Sequence, residues 1–128
     1  MRREKKMEKT IILNGEELKL KANAMNPIIY ADAFTDEFFE AQTNIIQAFD
    51  KRGGYDPKKI KTVEVMRLVW TMAKTADRSF PNFDEWVESL DAFPLVMLMG
   101  DIAPLIIHNI TGNTDIKAKN TEAVESAH

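Results

Sequence analysis

The most constraining stretch of the chain is KTIILNGEELKLKA, residues 9–22. Asn14-Gly15 interrupts two short runs in which apolar residues alternate with polar ones. A two-residue type I′ turn needs positive φ at both central positions, and Asn followed by Gly accepts this at the least cost. With those residues as the loop, Ile11 faces Leu18 and Leu13 faces Glu16. Ile11, Leu13, Leu18 and Leu20 then share one face. A lone hairpin is marginal in water, so that face must lie on something else.

Beyond residue 22 the apolar spacing becomes helical. Asn26-Pro27 is a cap-plus-proline start, leading into Ile28, Ile29, Tyr30 and Phe34. Thr35 or Asp36 is placed to cap a second helix running to about Phe49, with Phe38, Phe39, Ile45, Ile46 and Phe49 as its apolar face. Gly53-Gly54 ends that segment. Asp56-Pro57 repeats the cap-plus-proline signal. It predicts a helix over 58–76 that is apolar nearly all round, with a polar stripe of Glu64, Arg67, Thr71 and Lys74. Asn82-Phe83-Asp84-Glu85 is a capping-box pattern. After it Phe83, Trp86, Val87 and Leu90 fall on one face of a short helix, and Asp84, Glu85 and Glu88 on the other. A last helix is expected from about Asp91 to Asn109. Pro94 is tolerable in its first turn, Pro104 should kink it near Gly100, and Thr111-Gly112-Asn113 closes it.

The pattern predicts an α+β fold, mostly α: an N-terminal β-hairpin packed on a four- to five-helix domain. Residues 1–9 read as a flexible charged lead-in, 10–113 as a single domain and 114–128 as a disordered polar tail. A length of 128 residues suits one core.

Composition removes several function classes. There is no Cys, which excludes disulfides, thiolate nucleophiles and Cys-based zinc sites. The imidazoles are His108, alone on an apolar helix, and His128 at the last position, so no transition-metal set is expected. Ser79 and Ser89 have no His partner for nucleophilic catalysis. Asp84, Glu85, Glu88 and Asp91 lie on a wet helical face, where carboxyls keep ordinary behaviour rather than serving as a tuned acid–base pair. The longest oily stretch, 92–107, contains Pro94, Gly100, Asp101 and Pro104, and falls short of the roughly 18 charge-free residues of a membrane span. The N-terminus lacks the apolar core of a secretory signal. These features predict a cytoplasmic protein that is not an enzyme.

The net charge is −3, too small to draw the chain to nucleic acid or anionic membrane. It is nonetheless uneven. Arg2, Arg3, Lys5, Lys6 and Lys9 crowd the N-terminus; Lys51, Arg52, Lys58, Lys59 and Lys61 form a second basic group. Asp77, Asp84, Glu85, Glu88, Asp91 and Asp101 form an acidic one. They are either solvated faces or complementary surfaces of neighbouring copies in an assembly. Arg52, Lys58, Lys59 and Lys61 with Tyr55 also define an alternative function, a small helical regulator or adaptor with a nucleic-acid-binding patch.

Residues 93–110 supply Phe93, Leu95, Val96, Met97, Leu98, Met99, Ile102, Leu105, Ile106, Ile107 and Ile110. One face of one helix rarely buries that much. The surplus reads either as a central core helix or as one that also presents a stripe to another chain, with Met97 and Met99 as adaptable contacts.

Three ordered stretches, ILNGEELKLKA, NPIIYADAFTDEFF and VWTMAKTADRSFPNFDEWVESLDAF, together with the oily helix and polar tail, give the chain a family likeness. It resembles the tail assembly chaperones of long-tailed (siphovirus-type) bacteriophages of Gram-positive hosts, over roughly residues 10–113. Tyr30, Phe34 and Phe39 are in step with the family, as are the Ala-Lys-x-Ala-Asp tract from Ala73 and the acidic-Trp helix. The chain departs from it at Thr35, where relatives often carry Gly, near Ala31, where they often carry a basic residue, and near His108, where an aromatic is common. The resemblance implies a non-enzymatic protein without cofactor. Its partner would be the phage tape measure protein, which it would keep soluble while tail-tube subunits polymerise around it. It further implies a homo-oligomer, contact with the tail tube protein through a longer frameshifted form, residence in the host cytoplasm and absence from the mature virion. No nucleic acid or membrane partner is expected. The surface expected to meet the partner comprises Trp86, Phe93, Met97, Met99, Ile102 and Ile106.

Overall fold

The computed structural model describes residues 7–49 and 54–112. The lead-in before residue 7, the polar tail from Thr114, and Lys51, Arg52 and Gly53 lie outside the described residues, as does His128.

Strand β1 (Met7–Leu13) pairs antiparallel with β2 (Glu16–Ala22). Asn14 and Gly15 both have positive φ, 54° and 82°, the I′ geometry the dipeptide predicts. Ile11 faces Leu18 and Leu13 faces Glu16. Met7, Glu8 and Lys9, expected in the lead-in, are strand residues; Met7 pairs with Ala22. Ile11, Leu13, Leu20 and Ala22 are buried on the inner face.

Among the described residues five α-helices come after the hairpin: α1 (Met25–Ala33), α2 (Phe38–Gln47), α3 (Thr62–Ala76), α4 (Phe83–Ser89) and α5 (Leu95–Thr111). The expected α+β, mostly α, architecture is present. The inner face of the hairpin rests on α3 and α5, and α1 and α2 close the remaining sides of the core. Val65, Leu68, Val69 and Met72 of α3 meet Leu98, Met99, Ile102, Leu105 and Ile106 of α5 in that core.

Helix starts differ from the sequence reading at α1, α2 and α3. Asn26 is not a cap. Helix α1 begins at Met25, and the Oδ1 of Asn23 accepts from the Met25 amide at 2.8 Å. Asn26 lies fully buried in the first turn instead. Neither Thr35 nor Asp36 caps α2; the cap position is Glu37, whose side chain makes no capping bond. Asp56 does cap, accepting from the Lys58 amide at 3.0 Å, but it starts a 3₁₀ turn at Pro57–Lys59. Ile60 then runs extended into the core, 8% exposed, so α3 begins at Thr62. Its polar stripe is narrower than expected: Thr71 is fully buried, its hydroxyl donating to the Arg67 carbonyl at 2.7 Å.

Asn82 caps α4, accepting from the Glu85 amide at 2.8 Å. Trp86 is buried and Phe83, Val87 and Leu90 half-buried, while Asp84, Glu85 and Glu88 are exposed, as the spacing predicts. Helix α5 starts at Leu95 rather than near Asp91 because Pro94 disfavours the helical region for Phe93. It continues through Pro104 as one element to Gly112, whose φ of 73° makes the left-handed end that glycine favours.

Candidate functional site

The hairpin tip, α4 and the start of α5 meet at one end of the molecule. The Asn14 side chain donates to the Ala92 carbonyl at 3.0 Å, tying the tip to the link before α5. Farther along, Lys9 and Asp101 pair at 3.6 Å. The hairpin is therefore tied at two points to α5 and the link before it, and one basic and one acidic group of the sequence meet inside a single chain. Both side chains of that pair are well exposed, so it adds little stability.

A chain of aromatic rings backs this end. Phe34, Trp70 and Phe83 pack edge to face, with centroids 5.1–6.2 Å apart. Trp86 stands 6.1 Å from Phe80 and 6.3 Å from Phe93. The Trp70 indole donates to the Pro81 carbonyl at 2.9 Å, fixing the turn before α4 on α3. At Asp77, the Ser79 hydroxyl and amide donate to the carboxylate at 2.7 and 3.0 Å. Those bonds hold its pKa below the usual range.

The six residues expected to meet a partner do not form one surface. Met97 is 75% exposed, and its neighbour Val96 is 73% exposed. Phe93 is half-buried against Trp86. Trp86, Met99, Ile102 and Ile106 are core residues, 5% exposed or less. Helical geometry explains the split. Met99, Ile102 and Ile106 lie along the inward stripe of α5, whereas Val96 and Met97 lie off it in the first turn. The apolar surplus of 93–110 thus reduces, at the surface, to that pair.

The hydroxyls of Ser79 and Ser89 are engaged locally. Ser89 donates to the Trp86 carbonyl at 2.6 Å. Lys58, Lys59 and Lys61 are exposed, but the Tyr55 ring packs on Phe49 at 5.6 Å. His108 is partly buried in the last turn of α5, its Nδ1 without a partner among the described residues. No group of three or more His, Asp or Glu side chains among the described residues is placed to hold a metal ion. No described helix is long and apolar enough to cross a membrane.

Compared with protein-family models, curated proteins and solved structures, the chain finds no match.

Two polar clusters escaped the sequence reading. The Tyr30 hydroxyl donates to Asp36 at 2.6 Å, and Arg67 donates to the other oxygen of Asp36 at 3.0 Å. The Arg67 guanidinium also lies over the Phe34 ring, 5.0 Å from its centre. Burial, reinforced by the adjacent Asp36 carboxylate, pushes the Tyr30 phenol well above its ordinary value of 10.0. A raised pKa in the folded state gives stability that is whole below pH ~10 and is lost as pH climbs above it. The urea midpoint of the wild type is expected to fall faster above pH ~10 than that of Tyr30→Phe; parallel pH profiles would refute the cluster. The second cluster centres on Asn26 and joins four elements.

Proposed function

We propose that this chain is a phage tail assembly chaperone. It binds the tape measure protein, keeps it soluble and promotes tail-tube assembly around it, acting without catalysis or cofactor. The ordered resemblance over residues 10–113 suggests the class. The observation that carries the reading on the molecule itself is the Val96-Met97 step, two large apolar side chains exposed on a helix whose other apolar residues are buried or half-buried. A chaperone for a long apolar helix needs such a forgiving contact, and methionine adapts to partners of imprecise shape. Repeated copies along one tape measure chain would add weak contacts into a strong one. Self-association, contact with the tail tube protein through a longer form, residence in the host cytoplasm and absence from the finished virion belong to the same proposal.

Co-expression tests it. Soluble tape measure protein is expected to rise severalfold with the wild type and to fall back with Val96→Ser/Met97→Ser. Thermal stability of that exposed double variant should stay close to wild type. No gain with the wild type would overturn the reading. Measurable DNA or RNA affinity at ordinary salt would instead favour the basic-patch adaptor.

A further inference from the structure

Between β2, at its turn end, and α4 lies a cleft of about 510 Å³. Leu13, Leu18, Phe80, Trp86 and Leu90 give it an apolar lining. Among the described residues, every charged residue lining it is acidic: Glu16, Glu17 and Asp91. All three are exposed, so the cleft joins an apolar floor to a negative rim. That volume accepts one large apolar side chain with room for its neighbours.

Two sets of hydrogen-bonding groups there have no partner among the described residues. In a two-residue hairpin the residues flanking the turn, Leu13 and Glu16, exchange both ladder bonds. The alternation then turns the backbone N–H and C=O of Glu17, Lys19 and Lys21 away from β1. The Lys21 carbonyl accepts from Asn26 at 3.1 Å, which confirms that direction. Glu17 and Lys19 have no such partner among the described residues, and the described sheet has two strands, so among those residues β2 presents an open edge beside the cleft. The Trp86 indole N–H also donates to no described group, unlike that of Trp70.

We propose that this cleft docks an extended segment of a partner protein. The segment adds to the free edge of β2 as a third strand through Glu17 and Lys19, and seats one apolar side chain against Trp86 and Leu90. Lys or Arg residues flanking that side chain pair with Glu16, Glu17 and Asp91. Backbone pairing supplies affinity, and the apolar anchor and charges supply selectivity. The proposal is independent of the tape measure reading, which concerns a helical partner at Val96 and Met97.

The test uses the full chain and a fluorescein-labelled nine-residue peptide that alternates Lys and Val around a central Leu. Anisotropy should show saturable binding at low salt that weakens at least about tenfold in Glu16→Lys/Glu17→Lys/Asp91→Lys. Raising the salt should weaken it too, and the same peptide with Glu for Lys should not bind. Lys19→Pro, which removes an outward N–H, should weaken binding. On binding, amide exchange should slow at Glu17 and Lys19. No saturable binding below millimolar peptide would overturn the proposal. So would equal affinity in the triple variant, protection confined to another face, or a second copy of the chain filling the cleft and excluding the peptide.

Discussion

Replacing Asn26 with Leu is expected to lower the unfolding free energy by about 3 kcal/mol, measured by urea denaturation. Asn26 is fully buried, and all its polar capacity is used across elements. Its Nδ2 donates to the Lys21 carbonyl of β2 at 3.1 Å and to the Thr75 hydroxyl of α3 at 2.7 Å. Its Oδ1 accepts from the Asn23 amide at 3.1 Å and from the Asn109 side chain of α5 at 2.8 Å. Leu is of similar size and removes all four bonds. The stranded groups then bear the desolvation cost, which exceeds the net worth of the bonds themselves. Asn26→Asp should be no milder, because it keeps the acceptor, loses both donations and buries a charge. Asn109→Ala should cost about 1 kcal/mol alone and less in the Asn26→Leu background, since the partner is already gone. A loss below about 0.5 kcal/mol for Asn26→Leu would mean that this junction does not hold the hairpin to the helices.

Asn26 also shows where local sequence rules stop. Asn before Pro at the head of an apolar run is a cap signal by those rules, which see neighbours within a turn. The partners that decide Asn26, Thr75 and Asn109, lie 49 and 83 positions away. The same holds for Asp36, whose partner Arg67 is 31 positions on. The legible features were local: the Asn14-Gly15 turn, the Asn82 cap, the split faces of α4 and the glycine end of α5. The start of α3 is not legible in sequence, because the burial of Ile60 is a tertiary demand that interrupts a good helical pattern. For the candidate site, the apolar excess of α5 was visible in composition. Its division into a buried stripe and an exposed Val96-Met97 step was not, because the start of the helix and the placement of the hairpin decide which side faces inward. The acidic rim of the cleft is likewise invisible in sequence order: Glu16 and Glu17 are brought to Asp91 only when the tip of the hairpin reaches the end of α4.

Ile102→Ala is expected to cost about 3 kcal/mol of stability, in the range for a buried aliphatic truncation. Ile102 is fully buried, on a helix that faces the hairpin, α2 and α3, and a cavity there has few routes to collapse. The size of this effect bears on function as well as folding. If Ile102, Ile106, Met99 and Trp86 contacted a partner directly, α4 and α5 would first have to leave the core, and the partner would have to offset that lost burial. A chain whose partner uses only Val96 and Met97 makes a different prediction. Ile102→Ala should lower the midpoint of unfolding yet, well below that midpoint, solubilise tape measure protein as fully as the unsubstituted chain, whereas Val96→Ser/Met97→Ser should leave the midpoint near wild type and lower the yield of soluble tape measure protein. Loss of solubilising activity in Ile102→Ala, measured at a temperature where circular dichroism shows it folded, would mean that the inner stripe of α5 is exposed when the partner binds. An Ile102→Ala loss under about 1 kcal/mol would point the same way, because a residue that costs so little to truncate is not sealed in a close-packed core.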